Sequence, residues 1–170
     1  MLGADRIEHP GGTLLAHLSR VEALLGTWGA RPELRTAGLC HAFYGTDGFA
    51  TALLPLDRRA ELATRIGVDA ERIVYFYASC DRAASYGSVV EGTFRDRFTG
   101  RTYTPTEAER RDFAELTAAN ELDIVRVDPE FGARWGTELL ALLTRFGPLL
   151  SEPARDECVR VFAGAEIASP

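Results

Sequence analysis

At 170 residues, 46% of them hydrophobic, the chain is long enough to bury a real core and too apolar to be disordered or collagen-like. Its formal net charge is −6, and its nineteen basic residues, all Arg, interleave with acids as in Arg58-Arg59-Ala60-Glu61, so no basic stripe for nucleic acid is expected. The longest apolar runs, such as residues 139–143, fall far short of a bilayer, and residues 1–9 lack the pattern of a signal peptide, so a cytoplasmic protein without a membrane partner is expected.

The hydrophobic pattern is helical almost throughout, which predicts an all-α fold. Leu14, Leu18, Val21, Leu25 and Trp28 recur at spacings of three and four and make the stripe of a first helix that Gly29 can end. Pro32 suits the first turn of a second helix, whose inward face carries Leu34, Ala37, Gly38 and His41. A third runs from about Asp57, as N-cap, to Gly67, as left-handed C-cap, and a fourth starts at Asp69 with Ala70, Ile73, Val74 and Tyr77 on one side.

The period then breaks. Residues 92–103 alternate aromatic and polar residues around Thr99-Gly100, which suits a short hairpin, a lid over a pocket, or a contact in a homodimer. Thr106 and Glu109 form a capping box for a fifth helix with Phe113, Leu116, Asn120 and Asp123 or Ile124 inward. Asp128-Pro129 opens a sixth with Phe131, Trp135, Leu139, Leu142 and Phe146 inward, and Ser151 caps a last one around residues 153–162. One domain, 1–170, is the resulting expectation, with a core at about 6–125 and C-terminal helices at 128–165.

Two helices carry a polar residue where a hydrophobe belongs. His41 falls on the Leu34/Ala37/Gly38 face, and Asn120, the chain's single Asn, on the Phe113/Leu116 face. Burying either unpaired costs about 1–3 kcal/mol, so each needs a hydrogen-bond partner in the core or a ligand. His9 precedes Pro10 at the start of the first helix, and His17, beside the apolar stripe, reads as a satisfied interfacial histidine. Cys40, Cys80 and Cys158 lack paired spacing and read as buried reduced thiols. Cys40 and His41 point about 100° apart on a helix, which argues against a catalytic couple. Gly11-Gly12-Thr13 reads as a flexible helix entry or an anion cradle, Arg6 and Arg82 as grips for a phosphate or carboxylate, and Trp28 and Trp135 as core.

Taken in order, these segments resemble the HD-domain superfamily. Arg6-Ile7-Glu8-His9-Pro10 followed by Leu14-Leu15-Ala16 resembles its first-histidine motif, nearest the guanosine-tetraphosphate hydrolase branch. Ala37-Gly38-Leu39-Cys40-His41-Ala42 resembles the helix ending in the His-Asp pair. Residues 58–79 resemble the helix pair that follows, and residues 116–123 the helix with the last metal-binding aspartate. Ala-Gly-Leu-x-His and Tyr44-Gly45-Thr46 suggest an HD-like family apart from the hydrolases. The resemblance implies an HD-like helical bundle with a central pocket and retained histidines His9 and His41.

The departures are equally informative. Ala42 stands where the family has an aspartate, Gly45 and Thr46 where the hydrolase branch has its water-activating acids, and Asn120 where the last aspartate belongs. Ordinary phosphohydrolase activity is therefore not expected. Three functions follow. In the first, a small-molecule enzyme, His9 and His41 hold iron, manganese or zinc with one carboxylate, Asp123 foremost and Asp47, Asp81 or Glu121 as substitutes, for hydrolytic or oxidative chemistry. In the second, a metal-free biosynthetic enzyme, a histidine is general acid or base while Tyr44, Asn120 and Asp123 orient the substrate. In the third, the pocket binds a small molecule without chemistry. His9 and His41 facing each other across from Asn120 is the expected geometry.

Overall fold

The structure, a computed structural model, describes residues 3–166, with side chains through 162, so both ends of the expected 1–170 domain lie outside it. The described chain is mostly helical. Its helices are α1 (Leu14–Thr27), α2 (Pro32–Cys40), α3 (Arg59–Ile66), α4 (Val68–Ala78), α5 (Arg82–Ser85), α6 (Glu107–Val127), α7 (Pro129–Phe146) and α8 (Glu152–Glu166). Two small antiparallel hairpins join them, β1 (Glu8–His9) with β2 (Gly12–Thr13) and β3 (Phe94–Arg95) with β4 (Thr102–Tyr103).

Local chemistry sets the helix starts. Thr13 Oγ1 accepts the Ala16 amide at 3.2 Å and caps α1, whose stripe of Leu14, Leu18, Val21 and Leu25 is buried. Both halves of the Thr106/Glu109 capping box form at α6. Pro32 opens α2, and Ser151 Oγ accepts the Ala154 amide at the start of α8. Gly38 lets α1 and α2 approach closely, because a Cβ there would lie 2.6 Å from Leu25 Cδ1.

Helix α6 is the centre of the fold. Residues 113–123 are all buried, so this helix is enclosed on every side rather than along one stripe. Helices α1, α4, α7 and α8 pack against it. Polar side chains on this enclosed stretch, from Asn120 to Asp123, are thereby carried into the interior.

Several expectations need correction. Asp57 caps nothing and sits in a 3-10 turn, Leu56–Arg58, that precedes α3. Gly67 has the positive φ of 90° expected of it, but its ψ of 151° is extended, so α3 ends without a left-handed cap. A short helix, α5, follows Asp81, whose carboxylate accepts the Ala84 amide. Residues 94–103 do form a hairpin, anchored by Phe94, which is buried against Phe76 and Phe113. The largest departure is α7, where only Leu143 and Phe146 are buried and Trp135, expected in the core, is exposed. No helix among the described residues is long and apolar enough to cross a membrane.

Candidate functional site

Three histidine rings meet beside α6. The first hangs from a tight hairpin. His9 pairs with Gly12 across a two-residue turn, Pro10-Gly11, with Gly11 at φ 75°. Proline then positive-φ glycine is the type II signature, and a Cβ on Gly11 would also lie 2.7 Å from Val127 Cβ. The residues read as a flexible entry or anion cradle are thus a fixed turn that aims His9. Its ring stacks on His17 at 4.1 Å between centroids, and His17 meets His41 edge-on at 5.3 Å. His17 therefore stands between the two histidines expected to face each other.

His17 is also the most firmly held. Its Nδ1 lies 2.7 Å from Asp123 Oδ2 and its Nε2 lies 3.1 Å from Asn120 Oδ1. Arg20 donates to both oxygens of Asp123, at 2.7 and 2.9 Å. Asn120 Nδ2 donates to Glu121 Oε1, and Arg82 lies 3.6 Å from the same carboxylate. His41, at the end of α2, has Nδ1 2.7 Å from the Gly38 carbonyl, which makes that nitrogen the donor. Nδ1 of His9 is buried and has no hydrogen-bond partner among the described residues.

These groups border a cleft of about 250 Å³, lined by His9, His17, His41, Asn120, Glu121 and Arg82 among others. Burial, reinforced by the charge of His17, pushes His9 down from 6.5 to about 4 and His41 to about 3, so both imidazoles are neutral near pH 7. Burial raises Glu121, against the pull of Arg82. Burial alone would raise Asp123 as well, but the hydrogen bonds from His17 and Arg20 outweigh it and hold its carboxyl below the usual range.

Of the residues singled out from the sequence, His9, His41 and Asn120 line the cleft together. Asp123 is one step back, supporting His17. Tyr44 lies outside the lining, and its hydroxyl donates to Glu71, which Arg59 also grips. Asp47 accepts the Arg82 backbone amide, and Asp81 caps α5 and pairs with Arg95. The hairpin at 94–103 contributes nothing to the cleft lining. His17, expected as a satisfied interfacial histidine, is satisfied by Asp123 and Asn120 and also lines the cleft, whereas Arg20 was not singled out by any sequence pattern. The burial of Asp123 on a helix enclosed all round was the missing signal.

The expected metal set, His9, His41 and Asp123, does not fit this geometry. Both oxygens of Asp123 are taken by His17 and Arg20, and His17 separates the two outer imidazoles. Among the described residues no three His, Cys, Asp or Glu side chains converge as a metal-holding group.

Residues 1–82 match the model of a protein family described as a domain of unknown function, DUF6817. The matched stretch carries His9, His17, Arg20, His41 and Arg82. It stops before α6, which supplies Asn120, Glu121 and Asp123. No curated protein and no solved structure matches the chain.

Proposed function

We propose that the chain is an HD-like small-molecule enzyme that has exchanged metal chemistry for acid/base chemistry in its histidine cleft. What carries the reading is the contact of three imidazoles in one cleft, the middle one anchored through Asp123. His9, His41 and Asn120, from three of the four segments that resemble the HD family, line that cleft together, which supports the HD-like part of the reading.

The chemistry follows from the charges. Arg82 gives the cleft a cation for a carboxylate or phosphate on the substrate. An anion bound there favours the protonated form of nearby imidazoles and draws His9 up from about 4 toward a useful range. His9 then accepts and returns a proton, with His17 held in orientation by Asp123 and Asn120 as an orienting amide. A binding role without chemistry is the second reading. It is favoured by the polar atoms already spent within the protein, which include both ring nitrogens of His17 and Nδ1 of His41.

The test is a panel of small carboxylates and phosphate esters assayed for turnover with EDTA present. The expected result is turnover that survives the chelator and falls at least about 100-fold in His9→Ala or His41→Ala. Turnover abolished by EDTA and restored by zinc, iron or manganese contradicts the proposal. Anion binding with no turnover across the panel favours the second reading.

A further inference from the structure

We propose that the histidine cleft continues into an apolar groove along α7, and that together they form one site for a small carboxylate with an extended apolar tail. The inference rests on the reading of the cleft as a small-molecule site and names the class of its ligand. Helix α7 is amphipathic, yet most of its apolar face is not covered by protein. Trp135 is 42% exposed, and Leu139 and Leu142 are only partly buried. With Tyr86 they border a groove of about 400 Å³. Apolar surface gathered on one face of a monomer marks a place where something binds.

The groove is continuous with the cleft. Arg82, Glu121 and Phe131 line both. Arg82 is the one Arg lining either space among the described residues, and it stands at their junction. Its guanidinium packs over Gly48, where a Cβ would lie 3.2 Å from Nη1, and its contact with Glu121 is long at 3.6 Å. Donors of the fork therefore remain for a ligand carboxylate. The Tyr77 hydroxyl, buried without a hydrogen-bond partner among the described residues, feels the Arg82 charge. A carboxylate on Arg82 places the head of the ligand beside the three histidines and its tail against Trp135, Leu139 and Leu142. Glu138, which borders the groove, sets a cationic chain as the competing case for the test.

The experiment titrates the full chain with butanoate, hexanoate and octanoate, and with octan-1-ol, octyl phosphate and octylammonium as head-group arms. Two readouts are followed, Trp135 fluorescence in a Trp28→Phe background and the ring resonances of His9 and His41. The expected result is affinity rising about three- to fourfold per added methylene, as for apolar burial. Octanoate then binds at least tenfold more tightly than octan-1-ol or octylammonium and more tightly than octyl phosphate. It shifts Trp135 emission to the blue and moves both histidine rings. Trp135→Ala, at an exposed position that the core does not need, flattens the chain-length dependence read from the histidine rings.

Affinity independent of chain length, with the histidine rings still responding, overturns the tail site and leaves the cleft reading standing. Chain-length dependence with a Trp135 shift but silent histidine rings overturns the continuity of the two spaces. Equal or tighter binding of octylammonium, octan-1-ol or octyl phosphate overturns the carboxylate head. Silence of both readouts to every probe overturns the inference together with the small-molecule reading beneath it.

Discussion

Asp123 on α6 lies 2.7 Å from His17 on α1, and that contact joins residues 106 apart in the chain. It ties the helix that carries the middle imidazole to the enclosed helix at the centre of the fold. Because Arg20 holds the other side of the carboxylate, the charge of Asp123 is fully used inside the protein.

Replacing Asp123 by Asn keeps the shape and removes the charge. Breaking a fully buried pair costs about 3–5 kcal/mol. Water reaches Arg20, whose side chain is 33% exposed, so about 2–3 kcal/mol is the expected loss, or roughly 5–10 °C in Tm. In a double-mutant cycle with His17→Ala the two residues should couple by about 1–2 kcal/mol. Strict additivity in urea unfolding contradicts the pairing.

The outer histidines should titrate unusually. Their folded values, about 4 and about 3, lie below the free value of 6.5. Between these limits the unfolded chain binds more protons, so the stability these two groups contribute is complete above about pH 6.5 and drains as pH falls through their folded values. Glu121, raised by burial, works in the opposite direction. In proton NMR the rings of His9 and His41 should stay neutral from about pH 8 to 5.5. A midpoint near 6.5 for either ring is the adverse result.

Anion binding should take up protons. Acetate or phosphate in the cleft stabilises the imidazolium of His9, so calorimetry near pH 5 should give a binding enthalpy that changes with the ionisation enthalpy of the buffer. Arg82→Lys, which loses the planar fork, should weaken binding about tenfold. An enthalpy indifferent to the buffer counts against the assignment of His9.

Gly11 is the turn residue that aims His9, and Gly11→Ala meets two obstacles, a positive φ and the Val127 Cβ at 2.7 Å. About 2–3 kcal/mol of destabilisation is expected, with loss of the ring-stacking shift between His9 and His17. Tyr44→Phe is the contrasting case. It loses one hydrogen bond to Glu71, for about 1–2 kcal/mol, and should leave cleft ligands bound as before. Loss of acetate or phosphate binding in Tyr44→Phe would return that residue to the site.

Much of the frame was legible in the sequence, and the reasons are local. Thr13, Thr106 and Ser151 announce helix starts through hydrogen bonds made within three residues, and Pro32 does so through its fixed φ in the first turn. His41 and Asn120 stood out as polar residues on apolar faces, and both line the cleft. What remained hidden depends on long-range neighbours. His17 looked like a satisfied interfacial residue, and it is satisfied, but by Asp123 and Asn120 from a helix one hundred residues away. Trp135 read as core because its spacing is apolar, whereas α7 leaves much of that stripe uncovered. Periodicity reports which face is apolar and not whether anything covers it.

The three imidazoles are proposed to form a small-molecule site that works without a bound metal. The most direct test of that proposal is the response of the His9, His17 and His41 ring resonances to acetate and phosphate, with EDTA present throughout. The expected result is saturable shifts in all three rings that persist in the chelator and need about tenfold more anion in Arg82→Lys. Rings that respond to added zinc, manganese or iron, and to these anions only once the metal is bound, would contradict the proposal.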